Sequence, residues 1–435
     1  MASLNTKRAV KARTHEGGPA VKTSTLETLH RQVLSCFLFE DTFYEGGTSI
    51  ASQIKALVTQ CKPADVVHLA TRARSEYYLR HVPLWLLRCL AQEHRMPHQA
   101  LTGCIQRPDE ITEFLAMYWK DGKCPIAKKV KVGLANAFTK FNAHSLAKYN
   151  RQGKVTLRDA MFMCHPKPTS KEMAQVFKQL ANKELAPPDT WEVALSAGAD
   201  KRATWERLIA ENKLGGLALL RNLRNMVSVG VPMPLIRQAI KTNKFNKVLP
   251  FRFIAAARYA PELEPELEEA LFRCTQGMEP LKGKTAVLID TSGSMSARLS
   301  AKSDMTALDA ASALAMIVRE LCEDVAVYRF NYDAMLVPPR RGFALRDAIG
   351  AAGGGTALGQ AIKTCVGKER GAARLIVLTD EQSADKVSYP GYIEKGYVIN
   401  VMPYAKGVAY GNWLHINGFS ERIIDYIQQV EKEGV

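Results

Sequence analysis

Residues 285–296 read TAVLIDTSGSMS, and this run decides the fold of the C-terminal third. Thr285 to Asp290 are apolar up to a terminal acid, as in a strand buried on both faces. Asp290, Ser292 and Ser294 follow in D-x-S-x-S spacing through a Gly-containing turn. One carboxylate and two hydroxyls converging at a strand end make an all-oxygen nest, suited to a hard octahedral cation such as Mg²⁺. Two downstream runs add to it. GGGTALGQAI (353–362) presents Thr356 on a Gly-rich loop that opens a helix, and LIVLTD (375–380) is a second apolar strand ending on Asp380.

Around these runs, VAVYRF (325–330) and YVINVMPY (397–404) supply further apolar strands. The helix TALDAASALAMIVRELCE (306–323) carries Ala307, Ala311, Leu314, Val318 and Leu321 as an apolar stripe. Alternating strands and helices predict a doubly wound, mostly parallel sheet covered on both faces. Ligands of such sheets bind beyond the carboxyl ends of the strands, where all five residues fall. No serine here has a partnered histidine, and His415 sits in a late, unrelated segment. Two carboxylates are too few for a two-metal nuclease, so the reading is of a binding protein, not an enzyme.

At 435 residues the chain has room for two or three domains. No signal peptide and no apolar run near the length of a membrane span is present, which argues for a cytoplasmic protein with no membrane contact. Its nine cysteines are scattered without a C-x-x-C pair, the pattern of buried free thiols in a reducing compartment. The net charge of +16 is unevenly spread. From residue 281 onward 18 basic groups face 17 acidic ones, leaving 41 against 26 in the first 280. A polyanion is therefore expected to meet the N-terminal part.

That part reads as a basic flexible tail (1–24) followed by helices through residue 280, with residues 281–435 forming the sheet domain. Helical stretches such as SIASQIKALVTQC, HVPLWLLRCLAQEH and LALLRNLRNMV succeed one another with short breaks. Helix pairs repeated over this length predict a HEAT-type α-solenoid, with a compact bundle as the alternative fold. Within it, residues 128–168 combine Lys128, Lys131, Lys148, Arg151 and other cations with Phe138, Phe141 and Tyr149. Cations neutralise phosphates, and interleaved aromatics stack on unpaired bases. Phe138 and Phe141 are expected in the core instead.

Asp290, Ser292, Ser294, Thr356 and Asp380, in that order and context, resemble the metal-ion-dependent adhesion site of a von Willebrand factor A domain. The resemblance implies that the first four ligate a cation, directly or through water, with Asp380 one water away. The segments KYNRQ, RDAMFMCHPKP, LLRNLRNM and LPFRFIAAARYA resemble the TROVE module. Joined to an A domain, that is the architecture of the Ro autoantigen family, including its bacterial relatives. The family resemblance implies a helical ring whose basic face binds a small noncoding Y RNA and whose hole admits single-stranded RNA 3′ ends. By position it implies RNA contacts at Lys148 and His165, with Arg151 nearby. Arg221, Arg224 and Lys244 are candidates for the 3′-end path. An exoribonuclease partner follows from the bacterial resemblance alone.

Overall fold

A computed structural model describes residues 13–19, 21–22, 24–34, 47–150, 153–245, 248–276, 278–300, 303–402, 408–409, 412–418 and 422–433. The chain divides into two compact units. One is helical and spans 37–39 and 47–247; the other gathers 1–36, 40–46 and 248–435 around a sheet.

In the helical unit several helices pack on the next but one, and some on their sequence neighbour as well. Pro63–Ser75 meets both His81–Gln92 and His98–Cys104, which in turn meets Lys128–Phe138, which meets Leu157–Cys164. This serial stacking is the packing of a solenoid, and no strand interrupts it among the described residues. Phe138 and Phe141 are buried as expected, with Phe138 edge-on to Phe177.

Among the described residues the main sheet of the second unit has six strands: β1 (Leu281–Asp290), β2 (Cys322–Phe330), β3 (Ala334–Leu336), β4 (Arg374–Thr379), β5 (Lys395–Asn400) and β6 (Leu414–Asn417). Their spatial order is β3-β2-β1-β4-β5-β6, and every pairing is parallel except the antiparallel edge strand β3. This is the doubly wound arrangement, with its switch point between β1 and β4. Successive side chains of a strand point to opposite faces. Ala286 and Leu288 of β1 join a core with Leu358, Ile362 and Cys365 of the helix Leu358–Lys368. The intervening Val287 and Ile289 are equally buried, and the helix Ala307–Leu321 packs on the same strand. That helix is buried on more than the stripe read from its sequence, because Ala310, Ala313, Met316 and Ile317 are enclosed too. Thr306 and Asp309 close its first turn with a reciprocal capping box.

Two boundaries differ from the sequence reading. The helices Phe251–Tyr259 and Glu264–Arg273 belong with the sheet, not with the solenoid. Residues 13–19 and 21–22, read as part of a flexible tail, are built into the sheet unit. Thr14 is buried and its hydroxyl donates to the Ser383 carbonyl at 2.7 Å, while the His15 amide donates to Gln382 Oε1 at 2.7 Å. Val21–Lys22 pairs antiparallel with Val408–Ala409. Composition alone hides this, since the anchoring groups are backbone amides and one threonine.

Gly359 allows the close approach that fixes the helix Leu358–Lys368. A Cβ there would lie 2.1 Å from the Lys386 carbonyl oxygen. The Gly359 and Gln360 amides meanwhile donate to the Asp385 carboxylate, each at 2.8 Å. Gly359→Ala should lower stability by about 1–3 kcal/mol. A urea titration with an unshifted midpoint would refute that packing.

Candidate metal centre and nucleic-acid face

Strand register builds the first half of the metal-type site. β1 pairs with β4 so that Ile289 faces Leu378, which brings Asp290 beside Thr379. The Thr379 hydroxyl donates to Asp290 Oδ2 at 2.6 Å, and the Ser292 amide donates to Oδ1 at 2.8 Å. The Ser292 and Ser294 hydroxyls lie 3.2 Å apart. The Gly-rich loop is laced to this turn from both sides. Gly293 donates to the Gly354 carbonyl at 3.0 Å and Gly353 donates to the Thr291 carbonyl at 2.7 Å. Thr356 follows, buried, with its carbonyl accepting from the Ala384 amide at 2.8 Å. Asp380 leaves the end of β4 and accepts from the Gln382 amide at 3.2 Å.

All five residues chosen from sequence therefore lie at one end of the sheet, on strand ends, the turns that follow them and the Gly-rich loop. Asp290 and Asp380 are fully buried. Burial first, and the Asp380 charge second, push the Asp290 carboxyl above the usual carboxylate range. No ion pair of Asp290 is found among the described residues. Two mutually repelling buried carboxylates ringed by hydroxyls have the donor chemistry a divalent cation would neutralise.

A neighbouring ion pair was missed in the sequence. Glu381 takes a left-handed backbone (φ +61°) and is buried. Arg31, on the helix Thr25–Leu34, approaches Glu381 Oε2 at 2.6 Å. His415, read as unrelated, brings Nδ1 to 3.0 Å from Glu381 Oε1. Burial tends to raise the Glu381 carboxyl, and the Arg31 and His415 charges outweigh it, so the group is lowered. The partners come from positions 350 and 34 residues away, which no local pattern could reveal.

The cations of the helical unit fall into several places. Lys148 lies over the Tyr149 ring at 5.8 Å, and Arg107 covers the same ring at 4.4 Å. His165 is exposed, in the left-handed position that ends the helix Leu157–Cys164. Lys131 belongs to its neighbourhood: burial pushes the Cys164 thiol up to about 12, and the Lys131 charge pulls the other way. Lys128, Lys129 and Lys131 all open the helix Lys128–Phe138, whose first turn has no acid and no side-chain cap. Cations at the positive end of a helix dipole are unfavourable, so these lysines do not serve helix stability. Arg221 and Arg224 are exposed one turn apart on Gly216–Ser228, and exposed Lys244 follows the next helix. Arg151 lies outside the described residues.

Residues 182–327 match the TROVE domain family. A crystal structure of the Deinococcus radiodurans Ro (RSR) protein superposes with a TM-score of 0.61, covering 95% of this chain and 100% of that one at 18% identity. Residues 182–327 thus resemble a TROVE domain, and the chain has the fold of that Ro protein. Telomerase protein component 1 of Mus musculus is 36% identical over 90 residues, and that of Rattus norvegicus 34% over 90. Each match covers 19% of this chain and only 3% of the relative. The TROVE match includes LLRNLRNM and LPFRFIAAARYA but not the RDAMFMCHPKP segment. It also runs across the division between the two units into β2. Among the described residues no helix is long and apolar enough to cross a membrane.

Because its folded-state carboxyl is depressed, Glu381 contributes stability above its ordinary value of 4.5. That contribution disappears as pH falls through the lower folded value. Glu381→Gln leaves Arg31 buried without its counter-charge and should cost about 3–5 kcal/mol at neutral pH. The variant should also lose less further stability than the parent between neutral pH and the acid range. Parallel stability–pH curves for the two proteins would contradict the assigned pair.

Proposed function

We propose that this chain is an RNA-binding ribonucleoprotein component, acting by binding and not by catalysis. The observation that carries the reading is charge segregation. Residues 47–247 hold 32 Lys and Arg against 15 Asp and Glu, a net of +17, while the whole chain is +16. The solenoid thus carries all the surplus, and the sheet unit is close to neutral. The TROVE match and the Ro fold support RNA as the polyanion. The RNA is a small structured Y-like noncoding RNA, held by phosphate contacts from Lys128, Lys131 and Lys148 with Arg151 and His165. Single-stranded 3′ ends of misfolded RNAs use Arg221, Arg224 and Lys244, and an exoribonuclease is the partner that would consume such ends. The compartment is the cytoplasm.

The sheet unit supplies a cation-dependent protein contact. Mg²⁺ would be held by Asp290, Ser292, Ser294 and Thr356, with Asp380 through water, and would offer an open position to a partner's carboxylate. Exposed Tyr332, Met335 and Leu336 favour this reading, because the Tyr332 ring packs on the Gly354–Gly355 backbone beside Thr356.

Affinity for a small structured RNA should fall steeply with added salt. Lys131→Ala combined with Lys148→Ala should flatten the log–log slope by about two units while weakening many RNA sequences alike. An unchanged slope would remove these lysines from the interface. For the metal, added Mg²⁺ should raise the thermal midpoint of the parent and leave Asp290→Ala unmoved, with Asp380→Ala intermediate. Identical Mg²⁺ titrations of parent and Asp290→Ala would overturn the site.

A further inference from the structure

Among the described residues of the helical unit, Phe162 is the most exposed large hydrophobic side chain. The helix Leu157–Cys164 buries Leu157, Ala160, Met161 and Cys164, yet Phe162 remains 49% exposed. One turn earlier, Arg158 holds its guanidinium 5.0 Å from the Phe162 ring centroid. Arg158 is itself fixed, because its Nε donates to the Ala181 carbonyl at 2.6 Å. The ring is thus steadied by an anchored cation on a surface it has no apolar reason to occupy. Its surroundings are basic: exposed His165 lies less than one turn on, Lys167 follows, and Lys131 is near Cys164. The acidic neighbour on the helix, Asp159, is engaged by the Thr156 capping box.

We infer that Phe162 and Arg158 form a stacking platform for one unpaired base of a bound RNA. The inference rests on the RNA-binding reading and adds a subsite to it. A phenyl ring has no hydrogen-bonding edge, so it accepts any base through its π-face and tolerates sequence variation. An anchored arginine beside it contributes a cation to the same base or to its phosphate. A base inside a duplex keeps both faces covered by its neighbours, so the platform selects single-stranded or looped RNA. The flanking His165 and Lys131 would then meet the adjoining backbone. A protein partner is the competing occupant, and the net charge of +17 on this unit argues against it.

The test uses the full chain and an oligoriboadenylate of about a dozen nucleotides carrying one 2-aminopurine, beside a duplex of the same length. Phe162→Ala should weaken single-strand binding by roughly 5- to 150-fold, as expected for loss of one base–aromatic stack. It should abolish most of the 2-aminopurine quenching and leave the salt slope and duplex affinity unchanged, since no charge is removed. Phe162→Trp should restore both affinity and quenching. Equal single-strand affinity in parent and Phe162→Ala, or an equal loss on the duplex, would overturn the platform while leaving RNA binding in place. A parent chain that binds neither RNA would overturn the RNA reading itself.

Discussion

Two carboxylates buried side by side set the terms for the sheet unit. Asp290 and Asp380 leave the ends of adjacent parallel strands with no exposure to water. Burying like charges together is unfavourable unless hydrogen bonds or a counter-charge offset it. The surrounding loops are arranged accordingly. Thr379 and the Ser292 amide satisfy Asp290, the Gln382 amide serves Asp380, and the glycine loop is tied across the turn by two backbone bonds. Even so, burial and the Asp380 charge displace the Asp290 carboxyl upward. The next residue shows the opposite solution. Glu381, buried as deeply, is answered by Arg31 and His415 and is displaced downward.

The two units divide the electrostatic labour. The solenoid concentrates cations, some of them in places that oppose helix stability, such as the lysines opening Lys128–Phe138. Several of its arginines are nonetheless structural. Arg74 and Arg80 meet Glu110 and Asp109 in a largely buried cluster, and Arg88 reaches Asp121 at 2.6 Å. Charge surplus alone therefore overstates the surface open to a polyanion, and exposed Lys131, Lys148, Arg221 and Lys244 are the more telling groups.

The sheet and its five-residue constellation were legible because strand ends, Gly-rich turns and apolar runs are local patterns. Asp290, Ser292 and Ser294 are within one turn, and Thr356 and Asp380 each carry their own strand or helix signal. Alternating strands and helices announced a mostly parallel, doubly wound sheet, while the order β3-β2-β1-β4-β5-β6 and the antiparallel edge strand came from the structure. What stayed hidden was non-local. The Arg31–Glu381–His415 cluster joins three distant segments, and residues 13–19 are anchored mainly through backbone amides that composition cannot register. Phe162 was passed over because a phenylalanine in an apolar run is ordinarily core, and only its exposure in the fold separates it from Phe138.

The pairing of early with late segments bears on the order in which the chain can fold. Val21–Lys22 needs Val408–Ala409 as its partner, and Arg31 needs His415 and Glu381. On the ribosome, those first segments must wait while nearly four hundred residues are added. The solenoid, built from contacts between sequence neighbours, can form in that interval without them. The early helix therefore emerges with an apolar and charged face that has nothing to meet until synthesis is almost finished, and the sheet unit is the last part of the protein to become kinetically secure.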